Sequence, residues 1–291
     1  MYSRRGELLR HFPLDIKRCD SCTSMTIHLQ LHHVYNTRLG SQKLVASVCN
    51  DIRRKRKHDN PYPIPVGGSN GIGTWGYING VAELMQQIEE IRGDDSSSDF
   101  TLDHVVFATG SGGTATGIAV GLSLAYGSLG VGHPAVLGKS PPQVHAIGVC
   151  DNPDYFYRTM SSIADEMGIK LPDDTATEKF IREIVTVQNG KGGGYAFSSD
   201  EELDFILRFA IETGIALDPV YTGKALYHFF KEVLEVDPEA YRDKSILFWH
   251  TGGSIGLYEK GDDLLDRLSL ASHVIRIDPS MLNDGTSCGD S

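Results

Sequence analysis

Cysteine is scarce, with five residues in a chain of 291. That excludes a disulfide scaffold and leads us to expect a reducing compartment and free thiols. Tryptophan occurs twice, and no run approaches the ~18 consecutive apolar residues of a membrane span. A soluble chain with no membrane partner is expected. The interleaved basic and aromatic pattern of a nucleic-acid groove is missing as well, so no nucleic-acid partner is expected. Low apolar content, the mark of disorder, is also absent. Apolar residues make up 40% and charged residues 22%, enough to bury one large domain or two ordinary ones. Glycine is abundant, with 32 residues that fall in clusters.

The net charge of −11 is unevenly spread. Residues 1–60 hold 12 Lys+Arg against 5 Asp+Glu, while the remainder hold 15 against 33. This shift sets the expected boundary, an atypical basic segment over 1–59 and a large α/β domain over 60–291. The basic run Arg53–Lys57 reads as a solvated helix end or loop. Near the start, Glu7, Asp15 and Asp20 interrupt the positive residues and no apolar stretch follows, which argues against a secretory signal. A cytoplasmic location is expected, with a mitochondrial one as the alternative. Cys19 and Cys22 form a C-x-x-C pair with His28, His32 and His33 downstream. Only five residues separate Cys22 from His28, far fewer than the ~12–15 that let a finger wrap zinc, and no metal is expected.

Beyond residue 60 the pattern is regular. Tyr62–Val66 reads as a short extended piece. Tyr77, Val81, Leu84, Met85, Ile88 and Ile91 recur at three- and four-residue steps, which predicts a helix over Thr74–Arg92. His104–Thr109 reads as a buried strand, leading through Gly110-Ser111-Gly112-Gly113 into an apolar helix from Thr114 to about Tyr126. Gln143–Val149 reads as the next strand and Asp154–Met167 as the next helix. Ser199 and Glu202 form a capping box that opens a helix over Asp200–Thr213. A further helix follows Tyr221, and Ile246–Trp249 reads as a compact strand entering Thr251-Gly252-Gly253. Strands alternating with helices imply a parallel sheet covered on both faces. Ligands sit beyond the carboxyl ends of the strands in such sheets. The loop Thr109–Thr114 lies at such a place, and its small residues let backbone amides converge on an oxyanion at a positive helix end. It is neither a Walker loop nor a dinucleotide fingerprint, since no Gly-Lys-Ser/Thr follows and Ala115 stands where the third glycine belongs.

Five segments together carry more than any one alone. They are Val66-Gly67-Gly68-Ser69-Asn70, the Ser111–Thr114 loop, Gly194-Tyr195, Asp218-Pro219-Val220-Tyr221-Thr222-Gly223-Lys224, and His250-Thr251-Gly252-Gly253. In order and spacing the chain resembles the D-cysteine desulfhydrase and 1-aminocyclopropane-1-carboxylate deaminase family, over roughly residues 60–288. The resemblance implies a tryptophan-synthase-beta-like fold, a pyridoxal 5'-phosphate cofactor and a small amino-acid substrate. It implies that Ser111, Gly112, Gly113 and Thr114 hold the cofactor phosphate and that Thr222 and Thr251 lie near the pyridine nitrogen. Tyr195 and Tyr221 would line the substrate side as the catalytic pair. The deaminase branch carries Glu where this chain has Thr222. A neutral hydroxyl leaves the ring a weaker electron sink than a carboxylate does. The resemblance therefore leans towards α,β-elimination of D-cysteine to pyruvate, ammonia and sulfide, with 1-aminocyclopropane-1-carboxylate deamination as the alternative.

The family's Gly-Asn-Lys and Gln-Ser-Asn-His motifs are not found, and most of its small domain is absent. Ile16-Lys17-Arg18-Cys19-Asp20 is faintly similar to an earlier stretch, without the lysine segment that should follow. Three readings stand: a lyase or deaminase by descent in truncated form, a non-catalytic relative that keeps the phosphate cradle, and an unrelated α/β protein binding another phosphorylated ligand. Several residues have plainer readings. Lys224 reads as a surface or phosphate-neighbouring group, Asp218 as a turn residue, Cys150 as a small buried apolar group and Gly192–Gly194 as a flexible tip. A missing small domain would leave apolar surface exposed at the ligand edge, which predicts low solubility or a tight homodimer.

Overall fold

A computed structural model describes residues 38–92, 100–130, 132–136, 138–169, 171 and 176–270. The C-x-x-C pair and its neighbouring histidines lie outside the described residues. Helix α1 (Arg38–Lys55) ends on Arg53, Arg54 and Lys55, where positive charge meets the negative end of the helix dipole. The basic run is thus a solvated helix end, and Arg53 donates to the Pro61 carbonyl at 2.8 Å. Residues 61–65 form no strand, and the segment closes in a 3-10 turn, Val66–Gly68, with Gly67 at φ 71°.

Helix α2 (Gly71–Arg92) starts three residues before the expected Thr74 because Asn70 caps it, its Oδ1 accepting the Gly73 amide at 2.8 Å. Val81, Met85 and Ile88 are its buried stripe. Strand β1 (His104–Thr109) is buried at every position, as expected of a central strand in a parallel sheet. The chain then runs through α3 (Gly113–Ala125), β2 (Gln143–Gly148), α4 (Pro153–Glu166), α5 (Thr177–Ile184), β3 (Thr186–Asn189), α6 (Asp200–Thr213), α7 (Thr222–Phe229), α8 (Pro238–Tyr241), β4 (Ile246–Phe248) and α9 (Gly261–Leu270).

The four strands are parallel in the order β3-β2-β1-β4. Alternate β1 side chains face opposite layers. Val105 and Phe107 join the larger core with α2, α3 and α4, whereas Val106 and Ala108 pack with Ala225 and Phe229 of α7. Helices α2 and α3 meet closely because α3 carries glycine at the contact. A Cβ at Gly117 would stand 2.4 Å from the Tyr77 Cβ, and one at Gly121 would stand 2.8 Å from a Val81 methyl. This topology brings the loops after all four strands to one edge of the sheet. At the opposite edge, His104 Nδ1 and His145 Nε2 lie 3.1 Å apart, both buried, beneath the rings of Tyr241 and Phe229.

Candidate functional site

The loop after β1 is built around backbone rather than side chains. Gly112 sits at φ 90°, and a Cβ there would approach the Thr159 methyl to 3.0 Å. Only glycine holds this turn without strain. The first turn of α3 has amides with no intrahelical acceptor. One of them, Gly113 N–H, donates to Ser69 Oγ at 3.2 Å. Ser69 and Ser111 hydroxyls are 2.6 Å apart, and a Cβ at Gly67 would stand 2.4 Å from Ser111 Oγ. The Gly67–Asn70 segment therefore folds directly over the loop. Thr114 donates its hydroxyl to Tyr77 OH at 2.7 Å.

Tyr221 lies against the base of this loop, with its ring edge 2.8 Å from where a Gly110 Cβ would be. Its hydroxyl is 2.7 Å from that of Tyr195, and the two rings meet edge to face at 6.1 Å. The structure thus brings together two tyrosines that are 26 residues apart. Tyr195 remains half exposed.

The two threonines part company. Thr222 is completely buried; its hydroxyl donates to Asp218 Oδ1 at 2.6 Å and accepts the Asp218 amide at 3.0 Å. Asp218 in turn accepts the amides of Val220, Tyr221 and Thr222 at 2.7–2.9 Å. Thr222, expected near the ring nitrogen, thus shares its hydroxyl with Asp218 inside the turn that carries Tyr221. Thr251 is exposed on the loop after β4, beside Gly252 and Gly253 at φ 97° and 95°. A Cβ at Gly253 would stand 2.7 Å from the Asp218 carboxylate, so the two loops are packed together.

Lys224 is not a surface group. It is fully buried, and its ammonium donates to the carbonyls of Lys191, Gly194 and Phe197 at 2.8, 3.0 and 2.6 Å. The glycines at 192–194, exposed or half-buried, are accordingly tethered through the Lys191 and Gly194 carbonyls and not a free tip. Burial pushes the Lys224 pKa down, opposed by Glu202 at 3.7 Å. Burial alone would raise the Glu202 carboxyl, but His228, the Ser199 amide and Lys224 outweigh it and hold the pKa low. His228 lies between Glu202 (3.1 Å) and Glu232 (2.8 Å); burial would lower its pKa, yet the two carboxylates raise it. Cys150 is only half buried, and its thiol donates to the Gly110 carbonyl at 2.9 Å. A cavity of about 690 Å³ lined by Ala119, Leu122, Phe180 and Val185 shares no residue with these loops.

The site's chemistry is that of an anion receptor beside an aromatic wall. The paired hydroxyls of Ser69 and Ser111 and the amides of a glycine-rich helix start form a polar set free of acidic side chains, which suits a phosphate monoester. A family model for pyridoxal-phosphate dependent enzymes matches residues 29–252. The chain belongs to that family. Its relatives include the mitochondrial bifunctional D-cysteine desulfhydrase/1-aminocyclopropane-1-carboxylate deaminase of Arabidopsis thaliana, 38% identical over 87% of this chain and 55% of the relative. A D-cysteine desulfhydrase of Salmonella typhi is 30% identical over 86% of this chain and 62% of that protein. A crystal structure of a homologue of 1-aminocyclopropane-1-carboxylate deaminase superposes with a TM-score of 0.58 at 26% identity, covering 80% of this chain and 61% of the other. The chain spans little more than half the length of these curated relatives. The fold of this pyridoxal-phosphate dependent family is the one the glycine loops implied.

Proposed function

We propose that residues 60–291 form the cofactor-binding part of a pyridoxal-phosphate protein acting on a small amino acid, with D-cysteine elimination as the activity and 1-aminocyclopropane-1-carboxylate deamination as the alternative. The single observation that carries the reading is the Gly110–Thr114 turn, roofed by Ser69 and walled by Tyr221. Ser111, Gly112, Gly113 and Thr114 would hold the phosphate through amides and hydroxyls. Thr222 and Thr251 would lie near the ring nitrogen, and Tyr195 with Tyr221 would face the amino acid. When bound, the cofactor ring supplies an electron sink for bonds at the amino acid's α-carbon.

What the chain's own groups do follows from their placement. The positive end of α3 opposes the phosphate charge, and Asp218 fixes the backbone of the turn that presents Tyr221. The paired hydroxyls of Tyr195 and Tyr221 can pass one proton between them at 2.7 Å. Asp218 is fully engaged by its own turn, which leaves a neutral hydroxyl, Thr251, for the ring nitrogen and supports elimination of a thiolate over ring opening.

A second reading has its own support, since Lys224, the lysine buried beside these loops, has its ammonium committed to three carbonyls. A relative that binds the cofactor without covalent attachment would look this way. Titration with pyridoxal phosphate followed by borohydride reduction and peptide mass spectrometry separates the two. A labelled lysine supports the enzyme, saturable binding without label supports the non-catalytic relative, and no binding overturns both. The exposed apolar side chains Ile64, Ile72, Trp75 and Tyr258 support a homodimer, and a monodisperse monomer in sedimentation would contradict it. Among the described residues no helix is long and apolar enough to cross a membrane. We place the chain in the cytoplasm, with the mitochondrion as the alternative that the name of the Arabidopsis relative supports.

A further inference from the structure

The loop 190–197 carries Tyr195 yet has little regular structure of its own. Gly192 and Gly194 sit at φ 55° and 142°, and Ala196 sits at φ 59°, a left-handed conformation that residues with a Cβ seldom adopt. A chain in such a shape needs an outside hold. Three of its carbonyls, from Lys191, Gly194 and Phe197, converge on one point 2.6–3.0 Å away, and that point is the Lys224 ammonium. An ammonium has three N–H donors and no acceptor, so the three carbonyls match it one for one. Glu202 at 3.7 Å balances the charge while its oxygens serve the Ser199 amide and His228. Gly192 leaves the space this packing requires, since a Cβ there would come within 2.8 Å of Glu202 and 3.3 Å of the ammonium.

We propose that Lys224 is a positioning residue whose ammonium acts as a built-in cation, around which the 190–197 loop wraps so that Tyr195 is held against Tyr221. The positioning is a property of the protein alone; its effect on cofactor binding rests on the function proposed above. The site Lys224 fills is in chemical terms a carbonyl-lined monovalent-cation site. Cutting the side chain back to Lys224→Ala vacates it and leaves room for a free ammonium ion, whereas Lys224→Met fills the same space with an uncharged chain.

Three measurements test this. Hydrogen exchange at amides 191–197 should accelerate at least ~10-fold in Lys224→Ala and Lys224→Met, with β1 and α3 unchanged. Ammonium chloride should restore protection and pyridoxal-phosphate affinity in Lys224→Ala but not in Lys224→Met, and tetramethylammonium chloride at equal ionic strength should restore neither. Equal protection in all three proteins, or equal rescue by both salts, overturns the proposal. Should both variants fail to fold, nitrogen NMR of the wild-type lysines still decides: one slowly exchanging ammonium signal that disappears in Lys224→Arg is expected, and its absence overturns the inference. Loss of cofactor binding in every protein, with loop protection still dependent on Lys224, would remove the proposed function and leave the positioning role standing.

Discussion

The loops at 110–114 and 190–197 sit at the same edge of the sheet and solve opposite problems. The first gathers amides and hydroxyls at the positive end of α3, where we propose that an anion binds. The second turns carbonyls inward and closes on a cation the protein already owns, Lys224. Both are glycine-rich because backbone, and not side chain, does the binding. The difference teaches that a glycine cluster reveals exposed backbone dipoles without revealing their sign; the neighbouring element decides that. A helix start supplies the amides in one case, and a lysine from α7 selects the carbonyls in the other.

Breaking the inward loop should have the larger effect. Lys224→Met leaves three carbonyls without their donor and Glu202 with His228 as its one basic partner, and should cost about 3 kcal/mol of stability, read by urea denaturation. Next comes the outward loop. Gly112→Asp puts a Cβ into a left-handed turn and a negative charge into an anion cradle, and should weaken pyridoxal phosphate at least ~100-fold, about 3 kcal/mol. Pyridoxal, which lacks the phosphate, should bind wild type and variant alike in a fluorescence titration.

The far end of the sheet is the control, where no ligand is expected. Burial there, and the neighbouring His104, lower the His145 pKa from 6.5 to about 4. The unfolded chain therefore takes up this proton first as pH falls. The contribution of His145 is complete above pH 6.5 and lost by about pH 4, a difference of about 3 kcal/mol. Denaturation midpoints at pH 7 and 5 in wild type and His145→Gln should show a steeper decline in wild type. Smallest is Ser69→Ala, which removes one hydroxyl from the outward loop and should weaken the cofactor by about 1 kcal/mol with little change in stability.

Much of the outward loop was legible in the sequence. His104–Thr109 reads as a strand from five apolar or strand-favouring residues in a row, Val105–Thr109, and occupies those positions. The Ser199–Glu202 capping box forms as its spacing requires. The inward loop was not legible. Lys224 looks like any helix-surface lysine until the 190–197 segment, some 30 residues earlier, is laid over it. Thr222 suggests an available hydroxyl, yet Asp218, four residues before it, takes that hydroxyl into the turn. Strand β3 escapes sequence reading because it has four residues, Thr-Val-Gln-Asn, with Val187 the one buried position, and β4 has only three residues. Helix α1 lies in the basic segment, where charge conceals the periodic Leu44, Val48 and Ile52.

We propose that the amides and hydroxyls of residues 111–114 grip a phosphate ester. Calorimetric titration of the wild-type chain with pyridoxal phosphate and with pyridoxal tests it most directly. Saturable binding of pyridoxal phosphate is expected, at least ~10-fold tighter than that of pyridoxal and displaced by inorganic phosphate. Equal affinity for the two compounds, or no heat from either, would contradict it.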